Sequence, residues 1–345
     1  MDSAKGKDIV VVIDLMRHGP KAEAGNMNAV LSPEGERAAL EAGRKLAENL
    51  PGDGSFSLKG YHTRQDRSKR TVELIKAGYD GALKSRGKKP VPYKVLAAGS
   101  RSDAMLSDDE IVVDLTPRKH PLFHGDLEEV KSVHPEGLGE LQVDYLRQKY
   151  PGEPNPRAYV KGLPAREKEI VLDEAENYSV RVAIKNGDFS RVSAGMIAKD
   201  VLHHVQAASR LKSGSRVAVA IVGHEPSLSA FVKECVDAHD NTTGKSQQGF
   251  DTLEAAGGAF RPLETLRTVI RIDKDGQQTI ETMFLNPTRM PGKSVQLNTE
   301  GMAERAKEYR ARYGIVRPEE RAEWIESIKP GASKPVPLDT PRIKQ

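Results

Sequence analysis

Two histidines stand at the ends of two strongly apolar runs, and each has a glycine beside it. The run at residues 9–13 leads to Arg17-His18-Gly19, and the run at residues 217–222 leads to Gly223-His224. An imidazole can act as a nucleophile, and a neighbouring guanidinium forms paired hydrogen bonds with phosphate oxygens. These residue types suit the binding and transfer of a dianionic phosphoryl group if the two histidines meet in space.

The two apolar runs predict the elements that must position the histidines. Both are continuous and rich in β-branched residues, which is typical of strands covered on both faces of a parallel sheet. In an open α/β sheet, ligands bind at the carboxyl ends of the strands. His18 and His224 are therefore neighbours if the two strands are adjacent, although they are far apart in the sequence.

Strand and helix patterns alternate along much of the chain. They predict an α/β fold, a three-layer sandwich with a mainly parallel central sheet flanked by helices. Ser32 and Pro33 form a helix-start signal, with a capping hydroxyl before a proline in the first turn. The other predicted elements are a strand at 56–61, helices at 68–78, 194–208 and 228–236, and a β-hairpin formed by 268–272 and 278–284.

The sequence divides into one α/β domain and an extension. Residues 1–290 are assigned to the domain, which carries a large insertion at about 84–187 that is rich in proline and charge and includes a helix-like stretch at 138–150. Residues 291–345 are assigned to a C-terminal extension, helical at 300–313 and then rich in proline and lysine.

Composition excludes several classes of protein. The 345 residues carry 53 Lys and Arg against 49 Asp and Glu, a formal charge of +4, so no nucleic-acid partner is expected and the basic stretch at 84–94 is interpreted as a solvated loop. Cys235, the one cysteine, excludes an internal disulfide framework. No apolar run approaches the ~20 residues that span a bilayer. Residues 1–7 are polar and lead directly into a strand, so a cytoplasmic location is expected.

Three separate blocks resemble the histidine phosphatase superfamily, also called the phosphoglycerate mutase-like family. The first is Leu15-Met16-Arg17-His18-Gly19 with Leu31-Ser32-Pro33-Glu34-Gly35, the second is Thr63-Arg64-Gln65-Asp66-Arg67-Ser68-Lys69-Arg70-Thr71, and the third is Val222-Gly223-His224-Glu225-Pro226-Ser227-Leu228-Ser229. The third block is closest to that of the small SixA-like phosphohistidine phosphatases. The resemblance covers residues 8–80 and 190–285.

The resemblance implies a role for four residues. His18 would be the nucleophile that forms a phosphohistidine, while Arg17, Arg67 and His224 would surround the transferring phosphoryl group and stabilise its charge. Two arginines and a second histidine supply enough positive charge for phosphoryl transfer, so no metal or other cofactor is expected.

Some positions in this pocket remain open. Arg64 and Arg70 compete with Arg67 for the same role; the block spacing favours Arg67, with Arg64 next. Asn26 or Asn28, in the loop that follows His18, is a further candidate for hydrogen bonding to the phosphate.

The general acid that protonates the leaving group has three candidates. Asp126 and Glu128 lie beside a glycine in the middle of the chain, and Glu225 directly follows His224. The mid-chain pair does not match the family's acid block cleanly. If the acid is absent, good leaving groups such as the nitrogen of phosphohistidine are favoured over alkyl phosphates.

Three other histidines are considered as ligands of a metal site. His120, His124 and His134 lie near an aspartate at spacings that occur in zinc sites, but Pro121 and Gly125 argue against a regular helix there, so no metal site is predicted. The pair His203-His204 falls within a predicted helix and is interpreted as structural.

The residues and the resemblance together predict a phosphatase. It would hydrolyse a phosphomonoester or a phosphohistidine, in a phosphorylated small molecule or a phosphoprotein, through a covalent intermediate on His18. Two alternatives stay open: a phosphomutase, and a non-catalytic phosphate-binding or interaction module.

Overall fold

The computed structural model describes residues 6–22, 30–63, 65–91, 94–96, 103–105, 112–114 and 138–313. The strands are β1 Ile9–Arg17, β2 Ser55–His62, β3 Lys94–Leu96, β4 Asp103–Met105, β5 Val112–Asp114, β6 Ser215–Gly223, β7 Val236–Asp240, β8 Ser246–Gln248, β9 Thr265–Ile272, β10 Gln278–Phe284 and β11 Lys293–Leu297. The α-helices are α1 Pro33–Glu48, α2 Asp66–Ser85, α3 Leu138–Lys149, α4 Pro156–Gly162, α5 Ala165–Lys185, α6 Gly187–Ala207, α7 Ser227–Cys235 and α8 Thr299–Tyr313.

A single large sheet organises the described residues. Its order is β5-β2-β6-β1-β9-β10-β11-β7-β8, while β3 and β4 pair separately. The strands β1 and β6 are parallel neighbours at its centre, with Arg17 opposite Gly223 at their carboxyl ends. Both strands are buried along their whole length, which agrees with their continuous apolar sequences.

The expectation of a mainly parallel sheet is wrong. Only the pairings of β5 with β2, β2 with β6 and β6 with β1 are parallel in this sheet; from β1 to β8, each strand is antiparallel to its neighbour. The short turn between β9 and β10 imposes this direction locally, because a tight hairpin can join only antiparallel strands. The predicted hairpin itself is confirmed.

Helices cover both faces of β1 and β6, so this part of the molecule has three layers. On one face, alternate residues of β1 (Val11, Ile13, Leu15) belong to a core with residues of α6, α7 and α8. On the other face, Val10, Val12 and Met16 belong to a core with residues of α1 and α2. Burial of these side chains is the main favourable contribution that holds the strand ends in register.

The start of α1 shows the cap that its sequence predicts. Ser32 has an extended backbone and its hydroxyl accepts a hydrogen bond from the Gly35 amide at 3.0 Å, while Pro33 occupies the first turn. The cap follows the loop after His18, whose Pro20 carbonyl accepts from the Ser32 amide. The loop and the helix start are therefore joined.

Segments from the predicted insertion and the predicted extension contribute helices, a strand and core residues. Within the insertion, α3, α4 and α5 share a small core formed by Leu146, Val160, Val171 and Ala175. Within the C-terminal extension, β11 adds a strand between β10 and β7, and Met302 and Tyr309 of α8 are buried in the larger core. Among the helices of the described residues, none has the length and apolar character needed to cross a membrane.

Candidate active site

His18 and His224 lie side by side at the carboxyl ends of β1 and β6. The His18 amide donates to the Gly223 carbonyl at 3.2 Å, which continues the parallel pairing one residue beyond the strands. The rings of His18 and His224 are edge-to-face with centroids 4.9 Å apart. Both residues are buried, at 2% and 8% exposure.

The hydrogen bonds of His18 define its tautomer. Nδ1 lies 2.8 Å from the carbonyl oxygen of Gly19, and because a carbonyl can only accept, Nδ1 carries the proton. Nε2 then presents a lone pair, which accepts from Nε of Arg67 at 3.1 Å. Burial, followed by repulsion from His224, Arg17 and Arg67, lowers the pKa of His18 well below its ordinary value. The ring is neutral at physiological pH, the form that a nucleophile requires.

Arg67 is held in place by the first turns of α2. The Thr71 hydroxyl donates to the Arg67 carbonyl at 2.7 Å and accepts from the Gly19 amide at 3.1 Å, so one side chain joins α2 to the loop after His18. The Ser68 hydroxyl donates to the Val222 carbonyl of β6 at 3.2 Å. These contacts place the start of α2 across the ends of both central strands.

His224 is anchored by a neighbouring strand end. Its Nε2 shares a 2.7 Å hydrogen bond with the hydroxyl of Thr63, the residue that follows β2. Since β2 is the parallel neighbour of β6, this bond joins the ends of adjacent strands. The site thus draws side chains from the ends of all three neighbouring strands, as expected for an α/β sheet.

Arg17 is bound by a carboxylate from the insertion. Its Nη1 donates to Oε2 of Glu176 at 3.0 Å, and its Nη2 donates to Oε1 at 2.5 Å, a bidentate pair. Nη1 also donates to the Phe260 carbonyl at 2.5 Å. Burial acts to lower the pKa of Arg17, but Glu176, with smaller contributions from Glu225 and Asp173, outweighs it, and the pKa is raised.

The backbone of Phe260 bridges Arg17 and Glu225. Its carbonyl accepts from Arg17, and its amide donates to Oε1 of Glu225. The Phe260 ring is covered by the guanidinium of Arg289 at 4.2 Å, and Arg289 in turn forms a buried bidentate pair with Glu264 at 2.8 and 2.9 Å. This network fixes the peptide that contacts both charged residues.

Glu225 is a carboxyl group in an environment that favours its protonated form. Oε1 accepts from the Ser229 hydroxyl at 2.9 Å as well as from Phe260, whereas Oε2 is buried and has no hydrogen-bond partner among the described residues. Burial raises the pKa of Glu225 to about 7, against the opposing effects of the Phe260 amide and Arg17. At neutral pH this group is therefore poised to give or take a proton.

Lys21 adds a third cation beside Arg17 and Arg67. Burial and the nearby Arg67 lower the pKa of Lys21 to about 8, with Glu176 acting in the opposite direction. Burial and Arg17 lower the pKa of Arg67 to about 10. Burial is the larger cause of both pKa depressions, and the mutual repulsion of these cations adds to it. A bound anion such as a phosphate would relieve that repulsion.

The structure brings together most of the candidates that it describes. Arg17, His18, Arg67 and His224 converge, and Glu225 is linked to Arg17 through the Phe260 peptide. Arg70 does not join them, because it is about half exposed and pairs with Glu36 at 2.8 Å. Outside the described residues lie Asn26, Asn28, Arg64, the acid candidates Asp126 and Glu128, and the histidines His120, His124 and His134.

The pair His203-His204 lies within α6. His204 is buried and shares a 2.7 Å hydrogen bond with the Tyr61 hydroxyl. Within the part of the chain that the structure describes, no three His, Cys, Asp or Glu side chains are grouped as a metal site would require.

Three contributors to the site were missed by sequence reasoning. Glu176 lies within a helix of the insertion, and no local pattern connects it to Arg17, which is distant in the sequence. Lys21 follows the Arg17-His18-Gly19 motif by two residues, so its proximity was a usable signal. Thr63 opens the second sequence block, where a hydroxyl residue precedes Arg67 by four.

Comparison with known proteins gives matches in structure alone. No family model matches the chain, and no curated protein matches its sequence. The chain is similar in structure to phosphoglycerate mutase from Bacillus anthracis str. Sterne, with 14% identity, a TM-score of 0.34 and coverage of 87% of this chain and 98% of that one. It is also similar to the phytase from D. castellii, with 10% identity, a TM-score of 0.45 and coverage of 97% and 87%.

A third match is the protein histidine phosphatase SixA complexed with tungstate, with 11% identity, a TM-score of 0.27 and coverage of 80% of this chain and 97% of that one. All three belong to the histidine phosphatase superfamily, the class that the three sequence blocks resemble.

Proposed function

We propose that the protein is a phosphatase that hydrolyses a phosphomonoester or a phosphohistidine through a covalent phosphohistidine on His18. One observation carries the proposal: a buried, neutral imidazole presents an Nε2 lone pair beside Arg67 and His224, in a concentration of positive charge. Phosphoryl transfer depends mainly on positioning and on stabilising charge, and these residues supply both.

In the first step, the Nε2 lone pair of His18 attacks phosphorus while the bond from phosphorus to the leaving group breaks. Arg67 turns its N–H donors from Nε2 to the phosphoryl oxygens, and Arg17 and His224 stabilise the remaining charge. The ring becomes cationic as the N–P bond forms, and the Gly19 carbonyl that accepts from Nδ1–H stabilises that charge.

Glu225 is the proposed general acid. In its protonated form it gives its proton to the leaving atom, an oxygen in a phosphomonoester or a nitrogen in a phosphohistidine substrate. As a carboxylate it then takes a proton from the water that attacks the phosphohistidine on His18. The second step breaks the N–P bond, returns neutral His18 and releases phosphate. Its support is a pKa of about 7, which lets one group act in both directions near neutral pH.

The proposal is tested with His18→Asn, which removes Nε2 as a nucleophile and keeps a small polar side chain. We expect its kcat/KM on para-nitrophenyl phosphate to fall by about 10⁴-fold or more, as for loss of a nucleophile in other covalent enzymes. His239→Asn is the matched control, because His239 is an exposed histidine on β7 and its substitution should leave the rate unchanged.

Trapping the intermediate separates the phosphatase from its alternatives. The wild type, mixed briefly with a radiolabelled phosphomonoester and denatured in alkali, should carry label on His18, and the variant should not. Label without release of phosphate to water, but with transfer to an added alcohol, would identify a phosphomutase. Absence of label and of turnover across many phosphoesters would identify a non-catalytic phosphate-binding module.

A further inference from the structure

Glu176 contacts Arg17 but has no role in the proposed reaction. It projects from α5, in the insertion, and both of its oxygens accept from Arg17. The side chain of Arg17 is 7% exposed and that of Glu176 is 27% exposed, so Arg17 is buried and Glu176 is partly buried. Such a pair costs desolvation of the Arg17 charge and part of the desolvation of the Glu176 charge, so stability alone is a weak explanation for it.

The donors of Arg17 can be counted. A guanidinium has five N–H groups in one plane. Two point to Glu176 and one to the Phe260 carbonyl. The remaining two are the Nε–H and the second Nη2–H, and Nε is buried without a partner among the described residues. In a planar guanidinium these two hydrogens lie along the same edge, spaced to hold two oxygens of one anion.

We propose that Glu176 is a positioning residue, which, together with the Phe260 carbonyl, holds Arg17 by one edge so that its Nε edge is free for the phosphoryl oxygens. The inference rests on the proposed phosphate site at His18. Without Glu176, the guanidinium can rotate about its side-chain bonds, and phosphate binding must then supply the ordering that the pair now provides.

This role differs from that of a proton donor. Both oxygens of Glu176 accept hydrogen bonds from Arg17, the arrangement of an acceptor, whereas Oε2 of Glu225 is without a partner in the described structure. Glu176 also does not compete with the phosphate for the same N–H donors, because the Nε edge of Arg17 is separate from the edge that Glu176 occupies.

Binding of inorganic phosphate, measured by calorimetry, tests the positioning role without requiring turnover. Glu176→Gln keeps one acceptor and places an amide N–H against Arg17, and we expect phosphate affinity to fall about tenfold or more. Glu174→Gln is the matched control, because Glu174 lies on the same helix but accepts from Tyr145 and Lys149. Its phosphate affinity should equal that of the wild type.

Two substrates distinguish positioning from acid catalysis. Para-nitrophenyl phosphate has a good leaving group and phenyl phosphate a poor one, and Glu176→Gln should lower kcat/KM for both by the same factor. A much larger loss on phenyl phosphate would make Glu176 the acid and overturn the inference. Tighter phosphate binding by the variant would make Glu176 a competitor of the anion and would equally overturn it.

Glu176→Asp keeps the charge and shortens the side chain by one methylene, so its phosphate affinity should lie between those of wild type and Glu176→Gln. If circular dichroism shows that Glu176→Gln does not fold, the test rests on Glu176→Asp. A phosphate affinity of Glu176→Asp equal to that of the wild type would then contradict the positioning role. Failure of the proposed function has a different signature: phosphate binding that depends on Glu176, with no label on His18. A wild type that binds no phosphate would overturn both.

Discussion

The neutral state of His18 follows from its surroundings. Burial removes the water that would stabilise an imidazolium, and Arg17, Arg67 and His224 repel additional positive charge. The same cations that would bind a phosphoryl group thus keep the nucleophile unprotonated. Loss of activity at mildly acidic pH should therefore not report the titration of His18 near its ordinary pKa.

Glu225→Gln tests the acid at the residue scale. Burial raises the pKa of Glu225 to about 7, so the protonated donor is lost as pH rises through that value. For phenyl phosphate we expect the wild-type kcat to decline above about pH 7. We expect the kcat of the variant at pH 6 to be about 10²–10⁴-fold lower than that of the wild type, and we expect the decline above pH 7 to disappear. The reduction in kcat should be smaller for para-nitrophenyl phosphate, because its leaving group is better.

The control for this experiment is Glu234→Gln on α7, since Glu234 lies near Arg305 and away from His18. It should keep both the wild-type rate and the wild-type pH profile. A Glu225→Gln enzyme with unchanged activity and profile on phenyl phosphate would remove Glu225 from the mechanism and return attention to Asp126 and Glu128.

The placement of His18, His224 and Arg67 could be predicted because each follows a recognisable element boundary in the sequence. The pairing of Glu176 with Arg17 could not, since α5 presents many carboxylates and the sequence does not show which one faces the sheet. The Phe260 contacts were equally hidden, because a backbone carbonyl and amide have no sequence signature.

At the scale of elements, two glycines set the distance between α1 and α2. A Cβ on Gly43 would lie 2.0 Å from the Ile75 carbonyl oxygen, and a Cβ on Gly78 would lie 1.9 Å from the Leu40 carbonyl oxygen. The helices therefore touch backbone to backbone at both points. This contact fixes α2, the helix whose first turn carries Arg67.

Gly78→Ala should force α1 and α2 apart. The new methyl group meets backbone that cannot rotate away, and we expect the free energy of unfolding to fall by about 1–3 kcal/mol. Phosphate affinity should fall as well, because displacement of α2 moves Arg67. Urea denaturation and calorimetry with inorganic phosphate provide the two measurements.

Gly81→Ala is the control on the same helix. No atom of the described structure lies within 4 Å of a Cβ at this position, so the substitution should leave phosphate binding unchanged. Its higher helix propensity should raise the free energy of unfolding by about 0.5–1 kcal/mol. Equal effects of the two substitutions would show that close helix packing does not position Arg67.

Most elements could be predicted because their apolar periodicity is local. The buried strands at 9–13 and 217–222, the helix after Ser227 and the hairpin of β9 and β10 all fall where the sequence places them. The parallel or antiparallel direction of each strand could not be predicted from this local periodicity. The antiparallel pairing of β1 with β9 depends on contacts between distant segments that leave no periodic pattern.

At the scale of the whole molecule, the site joins segments that are far apart in the chain. Arg17 ends the first strand and His18 directly follows it, Glu176 comes from the insertion, and Arg289, which supports Phe260, comes from the region after β10. The site can therefore form only when the sheet and both helical layers are assembled. Its chemistry and the global stability are linked through the same buried groups.

Glu225 makes that link measurable, because its carboxyl group is protonated more readily in the folded protein than in the unfolded chain. The pKa is about 7 when folded and near the ordinary 4.5 when unfolded, so its stabilising contribution is complete below pH 4.5 and is lost as pH rises to about 7. At about 1.4 kcal/mol per pKa unit, the wild type should lose roughly 3 kcal/mol of unfolding free energy relative to Glu225→Gln over this range.

Urea denaturation of both proteins at pH 4.5 and pH 8 measures this difference, since the other titrating groups are common to the two. Glutamine retains an oxygen that can accept from Ser229 and Phe260, so the hydrogen bonds of Oε1 should contribute equally at both pH values. We expect the variant to gain stability over the wild type at the higher pH. If the stabilities of the two proteins change in parallel with pH, then the carboxyl group is not held protonated by burial, and its proposed role as the acid loses its physical basis.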